Sequence, residues 1–263
     1  MSANSVLRQT LPFVVRAAHT TDDFEALCRM RSAAYGRHAY TATLSSRLAV
    51  LDEDDRRATL LIAQDKQSGE CLGTLRISFS VRGLTPHDPK EDLSELEGQE
   101  FAYVDRFAVT SDSQLHTEVR AAIMKSMWLH LCEHEVPWVI ASSLKALTRL
   151  YATVGMRTIR GNEAGVLIPK LHDTKPYFTV GGRVEELFDN IQRRYPESLP
   201  YFVQVWHPDL EFAWPPPYFL DPSRAPQVPW VRQLLDLPMS DERAEPSLGA
   251  LPAPSSRQVL VAA

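Results

Sequence analysis

The stretch EFAYVDRFAVTSDSQLHTEVRAAIMKSMWLHLCEHEVPWVIASSLKALTRLYATVGM, residues 100–156, decides the fold of this chain. Residues 100–109 carry apolar side chains on both faces of an extended strand, which predicts a central position in a sheet. Apolar residues at helical spacing predict a long amphipathic helix over 117–135. A second strand starts around Pro137, and a second helix over 144–155 ends at Gly155. The stretch is therefore one strand–helix–strand–helix unit.

Length, composition and charge exclude several classes of protein. With 263 residues the chain can bury a full core, and 44% hydrophobic residues are ordinary for a globular enzyme. The net charge of −5 and the lack of a basic tract argue against nucleic-acid binding. Three widely spaced cysteines suit a reducing compartment better than a disulfide framework. Because no signal peptide and no apolar window of about 18 residues is evident, we predict a cytoplasmic protein without a transmembrane segment.

Residues 1–174 are predicted to form the main domain. A helix is expected to start with Thr21 or Asp22 as N-cap and to close at Gly36. The other expected elements are strands at 12–18, 58–65 and 70–80, a polar loop at 81–99, and two final strands around Gly161.

The composition changes beyond about residue 175. Residues 175–238 are predicted to be an extension that packs on the domain or extends it, with a helix over 182–195 and then many aromatic residues and prolines. Residues 239–263 contain too few apolar residues to fold by themselves and are predicted to be disordered.

The end of the second helix resembles a known family. Tyr151, Gly155 and Met156 follow the strand, helix, strand order and are similar to the Tyr-x-x-x-Gly-Phe motif of GNAT acyltransferases. The resemblance implies an α/β (α+β) fold, in which a mixed, mostly antiparallel sheet is flanked by helices and splayed where pantetheine enters. It also implies transfer of an acyl group from a phosphopantetheine thioester to an amine, with Tyr151 as donor of a proton to the departing sulfur. The alternative for Tyr151 is a core tyrosine whose hydroxyl reaches the surface.

The loop before the long helix departs from the family pattern. Gln114, Thr117 and Val119 occupy the region where the family has small glycines that cradle phosphate, and Glu118 is acidic. The resemblance implies that these residues and Val109 contact the donor. We therefore expect an acyl carrier protein thioester as co-substrate and partner in preference to acyl-CoA, and no permanently bound cofactor.

Three arginines indicate which enzymes of the GNAT family the chain resembles. Arg31 in the first helix, Gly73-Thr-Leu-Arg76 and Arg106-Phe107 are similar to elements of long-chain N-acyl amino acid synthases and acyl-homoserine-lactone synthases. The resemblance implies that Arg31, Arg76, Arg106 and Phe107 bind substrate. The alternative is that the arginines form structural ion pairs with Asp105 or the acidic run 52–55.

No single residue stands out as the catalytic base. Glu100 and Asp105 are candidates on the strand, and His116 at the helix start is a third, although each is also explained by a structural role. His130 and His134 fit an H-x-x-E-H zinc pattern, but a short pattern of this kind arises by chance and we predict no metal site. The aromatic cluster between Trp206 and Tyr218 is expected to pack across the domain or to recognise a partner.

The leading hypothesis is an N-acyltransferase that moves a long-chain fatty acyl group from acyl carrier protein to the amino group of an amino acid or similar amine by direct attack. Three alternatives stay open. A homoserine-lactone-type synthase is disfavoured because Tyr103 stands where those enzymes have an acid. An acetyl-CoA acetyltransferase is disfavoured by the missing glycines, and the third alternative is an idle module that binds acyl carrier protein. The sequence leaves a homodimer open.

Overall fold

The structure, a computed structural model, describes residues 6–37, 49–80, 91–110, 114–168, 172–213 and 239–240. Eight of its strands form one sheet, and they are β2 (Phe13–Ala17), β3 (Thr59–Asp65), β4 (Cys71–Phe79), β5 (Phe101–Val109), β6 (Trp138–Leu144), β7 (Arg157–Thr158), β8 (Val166–Ile168) and β9 (His172–Arg183). Their order in the sheet is β2-β3-β4-β5-β6-β9-β7, and β8 pairs with β9. Neighbouring strands are antiparallel except β5 and β6, which are parallel.

Helices cover both faces of the sheet because its strands alternate apolar residues between the two faces. On β3, Leu60 packs with Leu27 of the first helix, whereas Leu61 packs in the main core with the long helix. The described helices are α1 (Thr21–Gly36), α2 (His116–Glu133), α3 (Lys145–Thr153), α4 (Leu187–Arg194) and α5 (Leu199–Val203). None of them is long and apolar enough to cross a membrane.

The start of α1 is shifted by one residue from the expectation. Thr20 is the N-cap, and it forms a capping box in which its side chain accepts from the Asp23 backbone while Asp23 accepts from the Thr20 backbone. Arg16 of β2 donates to both carboxylate oxygens of Asp23 at 2.8 and 2.7 Å. This ion pair anchors the first helix to the edge of the sheet.

The domain boundary expected at 174/175 lies inside β9. Residues 177–183 of β9 pair with the whole of β6, from Leu144 to Trp138. The helix expected over 182–195 is shorter, because the strand continues to Arg183 and α4 begins at Leu187. A Cβ atom at Gly181 would lie 2.3 Å from the Val139 carbonyl oxygen, so the glycine allows the close backbone approach of β6 and β9.

Residues after α4 are fastened to the body of the domain. Strand β10 (Val205–Trp206) pairs with β1 (Val6–Arg8), which also pairs with β11 (Met239–Ser240) at the start of the tail that the sequence predicts to be disordered. Lys125 of α2 is buried and donates to the carbonyl oxygens of Tyr201, at 2.7 Å, and of Val205. Residues 199–207 are thus held against the long helix.

An irregularity in β5 opens the middle of the sheet. The register between β4 and β5 shifts between Thr74, opposite Ala108, and Arg76, opposite Asp105. The additional residue in β5 forms a bulge around Arg106, whose φ is +52°. On its other side β5 pairs with β6 only over Phe101–Tyr103. The two parallel strands part after Tyr103, which fits the predicted splay of the sheet.

Candidate active site

A buried ion-pair cluster lies on the α1 side of the bulge. Arg76 donates from Nε and Nη2 to the two carboxylate oxygens of Asp105, at 2.7 and 2.5 Å. Its Nη1 donates to Asp52 at 2.8 Å and lies 3.4 Å from Asp55, which also accepts from Arg31 at 2.8 Å. Burial by itself lowers the pKa of Arg76, but these carboxylates outweigh it and the net shift is upward. Arg76 is therefore a fixed cation with an acidic partner on each side.

Arg106 is in a different situation, although it is also expected to bind substrate. Its Nη2 lies 3.4 Å from Asp52, while Nε and Nη1 are buried without a hydrogen-bond partner among the described residues. The positive φ of a non-glycine residue costs roughly 1–2 kcal/mol, and such strain is concentrated at functional sites. Arg106 can therefore offer two nitrogen donors to an anionic group.

Tyr151 of α3 is fully buried, and its hydroxyl has no hydrogen-bond partner within the described ranges. Burial, and then the neighbouring Tyr35 and Asp105, raise the pKa of Tyr151. The phenol therefore stays protonated and can donate a hydrogen bond or a proton to a group that develops negative charge. Tyr35 interacts electrostatically with both Tyr151 and Arg106, so these two predicted site residues have a common neighbour.

Glu91, which precedes β5 and is buried, is not predicted as a site residue from the sequence. Its Oε1 accepts hydrogen bonds from Ser142 of β6 and from Thr179 of β9, the latter at 2.8 Å. Ser142 follows Ile140 by two residues on β6, and Ile140 pairs with Tyr103, the last residue of β5 that pairs with β6. A single acid in a polar loop with several other acids has no distinguishing pattern, so only its position in space identifies it.

The two carboxylates predicted as bases lie in different places. Glu100 is exposed and directly precedes Phe101, where β5 and β6 are still paired, so it lies away from the opening. Asp105 lies at the bulge, but both of its oxygens accept from Arg76. His116 is half-buried at the start of α2, and burial, followed by Arg120, lowers its pKa.

The residues predicted to contact the donor surround the start of α2. Leu115 is the N-cap of α2 and makes no side-chain capping bond. Gln114 is exposed and Thr117 half-buried, whereas Val109 and Val119 are buried in the main core. Burial raises the pKa of Glu118, which disfavours a full negative charge there.

Two elements of the arginine motifs have packing roles. Phe107 is fully buried in the main core rather than at the opening. A Cβ atom on Gly73 would lie 2.6 Å from a methyl group of Ile123, so glycine at this position lets α2 approach β4 closely.

The histidine pair and the cysteines have structural surroundings. His130 lies 3.1 Å from the Thr59 hydroxyl and its ring packs edge-on against His134. Among the described residues, no group of three or more His, Cys, Asp or Glu side chains could hold a metal ion. All three cysteines are free, and burial raises the pKa of Cys71 to about 12, which disfavours a thiolate there. Of the aromatic cluster, residues 214–218 lie outside the described residues.

Comparisons with known proteins agree with this architecture. No family model and no curated protein matches the sequence. A CoA-dependent acyl-homoserine lactone synthase, BjaI, with SAM and isopentyl-CoA has a TM-score of 0.53 and 13% identity, covering 74% of this chain and 93% of that chain. FeeM, an N-acyl amino acid synthase from uncultured soil microbes, has a TM-score of 0.49 and 17% identity, covering 68% and 94%. The AHL synthase LasI has a TM-score of 0.47 and 13% identity, covering 65% and 90%.

At this level of identity, the likeness to BjaI shows the fold alone. It agrees with the mixed, mostly antiparallel sheet, the helices on its two faces and the parting of two parallel central strands. The prediction of an α/β (α+β) architecture is confirmed: this chain has the GNAT fold.

Proposed function

We propose that the chain is an N-acyltransferase that moves a fatty acyl group from an acyl carrier protein thioester to the amino group of an amino acid. One observation carries the proposal. Tyr151 on α3, and Arg106 on the part of β5 beyond its pairing with β6, both hold buried polar atoms without partners among the described residues. Unpaired buried donors are costly, so a bound substrate that pairs with them explains their presence.

The opening suits an extended pantetheine arm. Beyond Tyr103 the described structure gives β5 no pairing partner on β6, so backbone groups at that edge can hydrogen-bond to the amides of the arm. The thioester is then placed near Tyr151. The amine nitrogen attacks the thioester carbonyl, the carbon–nitrogen bond forms and the carbon–sulfur bond breaks. Tyr151 protonates the leaving sulfur, the amine releases one proton to water, and Tyr151 regains a proton from water, so the step is balanced.

Arg106 is proposed to hold the acceptor carboxylate. An α-amino acid carries a carboxylate next to its reacting amine, and a guanidinium binds a carboxylate through two parallel hydrogen bonds. Nε and Nη1 of Arg106 are unpaired but lie on different edges of the guanidinium, so the parallel pair would use one of them together with Nη2, whose contact with Asp52 is long at 3.4 Å. Arg76, in contrast, is committed to four aspartates. Arg106 is therefore the acceptor residue in this proposal, and Arg76 with Asp105 forms its structural support.

The donor is proposed to be acyl carrier protein rather than coenzyme A. The start of α2 has no glycine that would let a phosphate group approach the backbone closely, and no side-chain cap. Coenzyme A is the alternative, because BjaI has this fold and is CoA-dependent. The cytoplasmic location and the homodimer stay predictions.

The test is a competition between donors. The purified chain is given one acyl group on acyl carrier protein and on coenzyme A, with a mixture of amino acids, and the products are identified by mass spectrometry. We expect N-acyl amino acids from the carrier-protein thioester. Consumption of acetyl-CoA with an amine, while carrier-protein thioesters stay inert, would contradict the donor assignment. A parallel reaction with S-adenosylmethionine as acceptor tests lactone synthesis.

A further inference from the structure

Arg120 of α2 is a buried arginine whose charge is not compensated within the described residues. The residue is 1% exposed, and its Nε and Nη2 atoms have no hydrogen-bond partner in the described part of the chain. Burial lowers the pKa of Arg120, and no neighbouring carboxylate raises it again. An arginine nevertheless stays charged at neutral pH. Because a buried charge without a partner is costly, a bound anion explains why this side chain is there.

The side chain of Arg120 is directed towards the start of α2. His116 is the first residue of the helix, and residues four apart are neighbours on one helical face. Side chains in a helix lean towards its N-terminus, so Arg120 reaches back to the turn that holds His116. Burial, and then the charge of Arg120, lower the pKa of His116, which agrees with this proximity. The guanidinium and the positive end of the helix dipole therefore favour an anion at the same place.

The acidic residue of this turn does not face Arg120. Glu118 is two residues before Arg120, and residues two apart in a helix do not face each other. Glu118 instead interacts electrostatically with Tyr201, which follows α4 in the chain and lies in α5. The cation at Arg120 is thus separate from the acid at Glu118.

The start of α2 lies at the wide end of the opening between β5 and β6. The two strands pair over Phe101–Tyr103 and part beyond it, while β5 continues to Val109. Residues 110–115 are all that separates the end of β5 from the start of α2, so the helix begins near that end of the strand. In the proposed reaction the pantetheine arm lies along the unpaired part of β5. One end of the arm is therefore next to the turn that Arg120 faces.

We propose that Arg120 binds the phosphate of the phosphopantetheine arm through Nε and Nη2; this rests on the proposed transfer from a phosphopantetheine thioester. These two atoms lie on the same edge of the guanidinium, so they can donate two parallel hydrogen bonds to two phosphate oxygens. The start of α2 has no glycine that lets phosphate approach the backbone closely, so a side chain takes over the binding. The phosphate is the charged group of the arm, and Arg120 is the buried cation that it neutralises.

The test compares phosphopantetheine with pantetheine, which lacks the phosphate, by isothermal titration calorimetry on the wild-type chain and on Arg120→Met. The control is Arg29→Met, which removes an exposed arginine of α1 that pairs with Glu25. We expect the wild type to bind phosphopantetheine about 10- to 150-fold more tightly than pantetheine, the range for charge-assisted hydrogen bonds. Arg120→Met binds the two compounds equally weakly, and Arg29→Met keeps the wild-type preference.

Enzyme kinetics identify the source of the phosphate, since acyl carrier protein and coenzyme A thioesters both carry it. Arg120→Met raises the KM of the thioester that serves as donor by a similar factor, and kcat at saturating donor stays at the wild-type value. Circular dichroism and melting temperature report whether Arg120→Met folds, and Arg120→Gln replaces it if it does not.

Two results would overturn the assignment. One is a wild-type chain that binds pantetheine as tightly as phosphopantetheine, which needs no variant, and the other is a preference for phosphopantetheine that persists in the folded Arg120 variant. A wild-type chain that shows the preference through Arg120 but transfers no acyl group to any amine contradicts the proposed function and leaves the phosphate site in place.

Discussion

Replacing Arg106 separates an effect on substrate binding from an effect on stability, because the contacts of this residue contribute little to the free energy of unfolding. Arg106→Gly relieves roughly 1–2 kcal/mol of left-handed backbone strain, since φ is +52°. The change loses an ion pair with Asp52 at 3.4 Å, worth about 0–1 kcal/mol, and adds about 0.5–1 kcal/mol of glycine entropy cost. The opposing contributions nearly cancel, so the free energy of unfolding should change by less than about 1.5 kcal/mol. At roughly 2–4 °C per kcal/mol, the melting temperature should move by no more than about 6 °C.

The effect on acceptor use should be large. Charge-assisted hydrogen bonds contribute about 1.5–3 kcal/mol, which corresponds to an increase of about 10- to 150-fold in acceptor KM for Arg106→Gly. Arg106→Lys keeps the charge but loses the planar fork, so it should give an intermediate increase. Donor KM should change little in both variants.

Arg76→Met is the contrasting variant. Removing Arg76 leaves Asp105 and its other aspartate partners without their shared cation, and breaking a buried pair from one side costs about 3–5 kcal/mol. Melting temperature and both Michaelis constants are measured on one preparation of each variant. A fall in the melting temperature of Arg106→Lys with unchanged acceptor KM would refute the assignment of Arg106 to the acceptor carboxylate.

Three further predictions concern catalysis, packing and pH. Tyr151→Phe should keep the melting temperature and lower turnover by about 10- to 1,000-fold, and an unchanged rate would show that this tyrosine only packs. Gly155→Ala should lower the free energy of unfolding, measured with urea, by roughly 1–3 kcal/mol, because φ is +86° and the new Cβ would lie 2.2 Å from the Leu187 carbonyl oxygen. Wild-type stability of this variant would contradict the close approach of Gly155 to Leu187. Burial, followed by the charge of Lys125, lowers the pKa of His207 to about 2. The unfolded chain therefore binds a proton at His207 that the folded chain does not, and the free energy of unfolding should fall as pH drops below about 6.5. His207→Asn should remove up to about 1.4 kcal/mol per pH unit of that slope, and urea titrations with equal slopes in variant and wild type would count against a neutral buried histidine.

Several elements could be predicted from the sequence because their patterns are local. The strands of the 58–80 hairpin, the helix α2 and the strand β5 each have a hydrophobic period that the backbone geometry produces within the element itself. The Tyr151-to-Gly155 spacing is local in the same sense, and Gly155 does adopt the positive φ that favours glycine after a helix.

Other features needed the tertiary structure because they join residues far apart in the chain. The sequence left open whether the arginines bind substrate or form ion pairs with aspartates of the protein. In the structure, Arg76 at the bulge of β5 pairs with aspartates, whereas two nitrogens of Arg106 are unpaired among the described residues. Strand β9 was cut by the expected domain boundary, since its pairing with β6 depends on a neighbour more than 30 residues away.

Glu91 is the clearest example of a residue whose contacts cannot be predicted from the sequence. Its partners Ser142 and Thr179 are 51 and 88 residues away, and nothing in the polar loop around it distinguishes it from the other acids. The sequence by itself determined the periodic elements and their order, because hydrophobic burial acts on each element's own pattern. Only the tertiary structure decided which polar groups meet at the opening, because hydrogen bonds and ion pairs depend on distances of a few ångströms between elements that the order alone does not specify.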